Sequence, residues 1–68
     1  MLFIEITSKD EDKKPFSALL PLMVIRGIYQ NFDGTAFVEV HYDKENGISG
    51  FDTVETYEEV IEQYKSRL

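Results

Sequence analysis

Residues 53–68 read Thr53-Val54-Glu55-Thr56-Tyr57-Glu58-Glu59-Val60-Ile61-Glu62-Gln63-Tyr64-Lys65-Ser66-Arg67-Leu68, and they set the architecture. Thr56 followed three residues later by Glu59 is a capping box, in which each side chain satisfies a backbone donor that the first helical turn orphans. A helix therefore starts there. Tyr57, Val60, Ile61, Tyr64 and Leu68 recur at i, i+3, i+4, i+7 and i+11, one stripe of a 3.6-residue period. Glu58 and Glu59 sit at the positive end of the helix dipole, and Lys65 and Arg67 at the negative end. Glu62 and Lys65 are spaced to pair across one turn. The apolar stripe needs an apolar surface to lie on, and the residues before it supply a small sheet.

Strand periodicity dominates that earlier part. Leu2, Ile4 and Ile6 alternate with Phe3, Glu5 and Thr7, the two-residue period of a half-buried strand. The charged run Ser8 to Lys14, with Pro15 after it, reads as a loop or hairpin tip exposed to solvent or to a partner. Phe16 to Leu19 reads as a short edge strand, because Pro21 cannot donate into a central ladder. An apolar turn follows at Leu20 to Met23. The cluster from Leu19 to Met23 either forms a subunit contact or closes the bottom of the core.

Val24 to Gln30 resumes a strand in which Gly27 marks a bulge or a close backbone approach. Asn31-Phe32-Asp33-Gly34 is a hairpin turn, read as type I′ from its Asp-Gly, and Thr35 to Tyr42 is the returning strand. Asp43 to Gly47 repeats the turn chemistry. Ile48 to Glu55 is the last strand, with Gly50 permitting a bend. Phe51 and Val54 fall on opposite faces of a regular strand, so either a bulge intervenes or one of them is exposed. The expected fold is α+β, an antiparallel β-meander of four to five strands with the amphipathic helix packed on one face.

Size and composition narrow the function. The 68 residues hold one domain with a thin core, no Cys and a single His. Without disulfides or a metal cluster, self-association is the remaining means of hiding apolar surface, so a homo-oligomer is expected. The net charge of −6 argues against a nucleic-acid duplex as partner, since that binding relies on clustered Lys and Arg. No signal peptide and no apolar run near the ~20 residues of a membrane span is evident, so a cytoplasmic protein without membrane partners is expected.

An opening strand at Leu2 to Thr7, Lys14-Pro15-Phe16 after a polar loop, an apolar strand with Ile25 and Ile28, a hairpin, and the closing Val54-Glu55-Thr56-Tyr57-Glu58-Glu59-Val60 together resemble the small FlbD-type flagellar-operon proteins. Small phage and mobile-element proteins of similar build share the pattern. The chain departs from it at Leu19 to Met23 and in a longer segment before the last strand. The resemblance implies a compact β-rich fold, self-association and no catalysis, and it transfers no functional residue.

Reactive groups are sparse. No Cys is present, and Ser8, Ser17, Ser49 and Ser66 lie in no nucleophile motif. Glu58 and Glu59 are explained by capping and the dipole rather than by an acid/base dyad. Asp43 and Glu45 lack the spacing and terminal bidentate Glu of a calcium loop. The protein is thus read as non-enzymatic, with no cofactor and no metal. Arg26 stands out as the only Arg before the helix. It either snorkels to the rim or pairs with Glu39 across the hairpin, or converges in an oligomer with Tyr29, His41 and Tyr42. That last arrangement would hold a small anionic, nucleotide-type ligand between subunits, guanidinium and aromatic faces being suited to phosphate and nucleobase. The alternative function is an acidic regulator or inhibitor that binds a host protein through its charged surface or the Leu19 to Met23 patch.

Overall fold

The computed structural model describes residues 2–10, 13–45 and 47–68. Five strands, β1 (Phe3–Asp10), β2 (Lys13–Pro21), β3 (Ile25–Gln30), β4 (Thr35–Asp43) and β5 (Ile48–Thr56), precede one helix, α1 (Tyr57–Ser66). All neighbouring strands are antiparallel, in the order β2-β1-β5-β4-β3. Strands β3, β4 and β5 form the expected meander. The β1–β2 hairpin joins it through β1 against β5, so β2 and β3 occupy opposite edges.

Only a 3-10 turn of 3 residues, Leu22–Val24, connects those two edges. In a flat sheet strands four intervals apart lie about 19 Å from each other. The four Cα steps from Pro21 to Ile25 reach at most about 14 Å. The sheet must therefore roll until the end of β2 approaches the start of β3. The roll encloses the core: Ile4 and Ile6 from β1, Leu20 from β2, Ala36, Val38 and Val40 from β4, and Val60 from α1 form one buried cluster.

Rolling opens a seam. Strands β1 and β5 pair only at Ser8 and Thr53, and the backbone groups of β1 beyond that point find side chains instead of a strand. The Thr7 N–H donates to the Glu55 carboxylate at 2.7 Å. The Glu5 N–H donates to Gln63 Oε1 at 2.5 Å while Gln63 Nε2 donates to the Glu5 carbonyl at 2.9 Å. Arg67 Nε donates to the Phe3 carbonyl at 3.2 Å. Glu55 at the end of β5, Gln63 of α1 and Arg67 just after it thus take the place of a strand beside this part of β1.

The helix begins as the sequence predicts, with both capping-box bonds between Thr56 and Glu59 formed at 3.1 Å. Its first N–H, that of Tyr57, donates to the Gly34 carbonyl at 2.8 Å, which ties the helix start to the β3–β4 turn. Val60 is buried and Tyr57, Ile61 and Tyr64 are half-buried. Leu68 leaves the expected stripe: the helix ends at Ser66 and Leu68 is 82% exposed. No described helix is long and apolar enough to cross a membrane.

Several expectations are refined. Ser8 to Asp10 and Lys13 and Lys14 belong to strands rather than to a loop, while Glu11 and Asp12 lie outside the described residues. The Asn31–Gly34 turn is not type I′, because only Gly34 has positive φ, at 89°. Gly34 N–H donates to Asn31 C=O at 3.0 Å and Asn31 N–H to Thr35 C=O at 2.8 Å. That is a type I turn followed by a glycine bulge. Both alternatives at Phe51 and Val54 hold. The register shifts between Thr35/Phe37 on β4 and the facing Thr56/Asp52, and Val54 is 51% exposed. The buried Thr53 hydroxyl repairs that interruption, accepting from Ala36 N–H at 3.1 Å. Gly50 leaves room for the Phe37 ring.

Lys9 reaches from β1 to the β3–β4 turn, pairing with Asp33 at 2.7 Å. Asp33 also accepts from Thr35 N–H and Oγ1. The Lys9 ammonium first, and then the Thr35 donors, hold the Asp33 carboxyl well below the usual carboxylate range.

Two outcomes are expected. Gln63→Ala removes both partners of Glu5 and should lower stability by about 1 kcal/mol, with faster hydrogen exchange at the Glu5 amide and little change in the β3–β4 ladder. Because Asp33 is more acidic folded than unfolded, its contribution is complete above the ordinary carboxylate range and fades as pH falls through that range and below it. Thermal melts in an acid series should show the midpoint dropping there, and Asp33→Asn should flatten that part of the curve.

Candidate functional site

Strand β3 is an edge of the sheet, and its register slips opposite β4: Ile25 faces Val40 but Gly27 faces Glu39. Two steps on β3 therefore match one on β4, and Arg26 is the additional residue of a bulge, the irregularity expected at Gly27. A bulge re-aims its side chain away from the ladder. Arg26 is exposed and, among the described residues, has no hydrogen bond or ion pair. The cross-hairpin pairing with Glu39 does not form, because Glu39 accepts instead from the Tyr29 hydroxyl at 3.3 Å. The Tyr29 ring occupies the space over Gly27 that a Cβ would fill, with Oη 2.6 Å from that position.

Beside the bulge, β3 and α1 enclose a cavity of about 200 Å³ lined by Ile25, Arg26, Gly27, Ile28, Ile61 and Tyr64. Its walls are mostly apolar, and Arg26 and Tyr64 are the lining residues with polar side chains. That combination fits a flat or aliphatic group carrying negative charge: the body meets Ile25, Ile28 and Ile61, and the anion meets Arg26. No family model, curated protein or solved structure matches the chain. What the site can do is therefore judged from its own residues.

The four residues singled out by sequence do not line one cavity. Arg26 lines the β3–α1 cavity. His41 follows Val40, the register partner of Ile25, but borders another cavity of about 280 Å³, shared with Leu20, Val24, Val40, Ile48 and Phe51. Tyr29 and Tyr42 are exposed and line neither. Sequence reasoning missed Tyr64 and Ile61 as partners of Arg26, having assigned both to core packing. The signal was available in their spacing, since residues three apart on the stripe lie at its margin as well as its centre.

Glu59 has no free role. Its carboxylate accepts from the Thr56 backbone N–H, and that bond and the Thr56 hydroxyl contact hold its pKa below the ordinary value.

Gly27→Ala should push the Tyr29 ring tip aside rather than shift backbone, since the crowded atoms belong to the far end of a movable side chain. The expected cost is under about 1 kcal/mol, with the Tyr29 ring resonances displaced in NMR spectra while those of Tyr57 hold.

Proposed function

We propose that this protein is a non-enzymatic binding protein that acts as a homo-oligomer and sequesters a small anionic ligand of nucleotide type, with Arg26 as the residue that reads the anion. The observation that carries the proposal is Arg26, the exposed bulge residue of β3, which has no ion pair among the described residues and lines a mostly apolar cavity. A cavity of about 200 Å³ falls short of the about 300–1,000 Å³ usual for small-molecule sites. A nucleotide would need a second wall. In the proposed oligomer another copy supplies it, and brings Tyr29, His41 and Tyr42 of the two copies to the anion beside Arg26.

The exposure of Leu19 and Met23, 63% and 72%, favours a second reading in which this patch, with the acidic surface, binds a host protein as a regulator or inhibitor.

The test is thermal stabilisation by a nucleotide panel. A ligand at ten times its Kd should add about 1.4 kcal/mol, about 6–11 °C for a domain of this size. Arg26→Ala should abolish the shift without changing the oligomer. A panel that leaves the melting point of the wild-type protein unmoved would favour the regulator.

A further inference from the structure

The β1 hydrogen bonds to α1 fix which way the backbone of β2 points. Glu5 spends its N–H and C=O on Gln63, on the side away from β2. Glu5 and Leu19 are opposite each other in the β1–β2 register, so theirs is a non-hydrogen-bonded pair, and Leu19 must likewise direct its N–H and C=O away from β1. The same parity holds for Ser17, opposite Thr7, and for Pro21, opposite Phe3. The free edge of β2 therefore offers the N–H groups of Ser17 and Leu19, bounded by Pro15 and Pro21, which have none.

This pattern is symmetric about Ala18. We infer that β2 is the homodimer interface, pairing antiparallel with β2 of a second copy about a two-fold axis through Ala18. In that register Ser17 of each copy exchanges both backbone hydrogen bonds with Leu19 of the other. Proline faces proline, so no N–H is left without an acceptor. Ala18 meets Ala18 in the close, non-hydrogen-bonded position, where its small side chain lets the two strands approach at the axis without a clash. Phe16, 48% exposed and paired with Ser8 on the β1 side, would lie opposite Leu20 of the other copy and gain an apolar cross-strand neighbour on its free side.

Charge and area point to the same occupant. In a chain of net charge −6, β2 contains no Asp or Glu, so two copies meet there without opposing carboxylates. The protein exposes 4980 Å², whereas a monomer of 7.9 kDa is expected to expose about 4,400 Å². The surplus of about 600 Å² is the size of a small interface, below the about 800 Å² that a partner covers on each side of a standard one. This inference deepens the homo-oligomer part of the proposed function and is independent of the ligand.

Cysteine cross-linking reads the register directly, because the chain has no Cys of its own. Across the axis the Ala18 Cα atoms would lie about 4.5 Å apart, inside the about 4.4–6.8 Å that a disulfide spans. The Ser17 Cα atoms would lie about 8–9 Å apart, outside it. Under mild oxidation Ala18→Cys should run as a covalent dimer and Ser17→Cys should not. In sedimentation over a dilution series the wild-type protein should be a dimer, and Ser17→Pro, which removes only an outward N–H, a monomer with unchanged circular dichroism. A wild-type protein that sediments as a monomer at every concentration overturns the inference, as does capture of a foreign peptide strand by a monomeric edge. A dimer that survives Ser17→Pro and gives no Ala18→Cys cross-link also overturns it, while leaving self-association in place. Should Ser17→Pro fail to fold, the two cysteine variants decide alone. The two readings fail separately: a wild-type dimer whose melting point no nucleotide moves sinks the nucleotide reading and leaves this interface standing, whereas a wild-type monomer overturns the interface.

Discussion

The short connection between β2 and β3 constrains everything else in this molecule. Strands at opposite edges of a five-stranded sheet are joined by Leu22, Met23 and Val24 alone, and a chain that short cannot cross a flat sheet. The sheet rolls, and its inner face becomes a closed core rather than an open apolar plane. Side chains as modest as Ala36, Val38 and Val40 are then fully or almost fully buried, because they are walled from β1, β2 and α1 at once. Pro21 contributes by ending β2 at an edge, where its missing N–H costs no ladder bond.

Curvature carries a backbone cost, and the helix meets it. Where β1 and β5 part, the free groups of Phe3, Glu5 and Thr7 would face a gap, and Arg67, Gln63 and Glu55 fill their hydrogen-bonding capacity. The helix therefore has two duties on adjacent flanks: Val60, Ile61 and Tyr64 cover the core and the β3 bulge, while Gln63 and Arg67 act as a stand-in for a strand. The first flank leaves a cavity beside Arg26. The second fixes the parity of β1, and through β1 the parity of the exposed β2 edge. A binding site beside β3 and an interface along β2 thus follow from one packing solution.

Much of this was legible in the sequence, and the limits have physical causes. Local signals act within a few residues, so the Thr56–Glu59 cap, the bulge at Gly27 and the edge character of the proline-bearing strand were all readable. Strand order was not, because alternation in Leu2 to Thr7 shows a face but not a neighbour. The charged run at Ser8 to Lys14 was read as loop since it has little to bury. Pairing with the opposite strand nonetheless extends both arms of the hairpin into it, and Lys9 finds Asp33 across the roll. The candidate site was legible only in part. Arg26 stood out by type and context, but that it shares a cavity with Ile61 and Tyr64 rather than with His41 depends on how α1 packs across β3, which no local pattern encodes. Gln63 and Arg67 were missed because polar residues beside an apolar stripe usually face solvent.

The roll itself is the claim most worth measuring, and methyl NOE spectroscopy reads it without substitution. Leu20 on β2 and Val40 on β4 are three strand intervals apart in the sheet order, about 14 Å if the sheet were flat. In the rolled sheet both belong to one buried cluster with Ile4 and Val60. Direct cross-peaks between the Leu20 and Val40 methyls, together with Ile4 to Val60, are the predicted result. Intact neighbouring-strand contacts with no Leu20 to Val40 cross-peak would mean an open sheet, and would contradict the account.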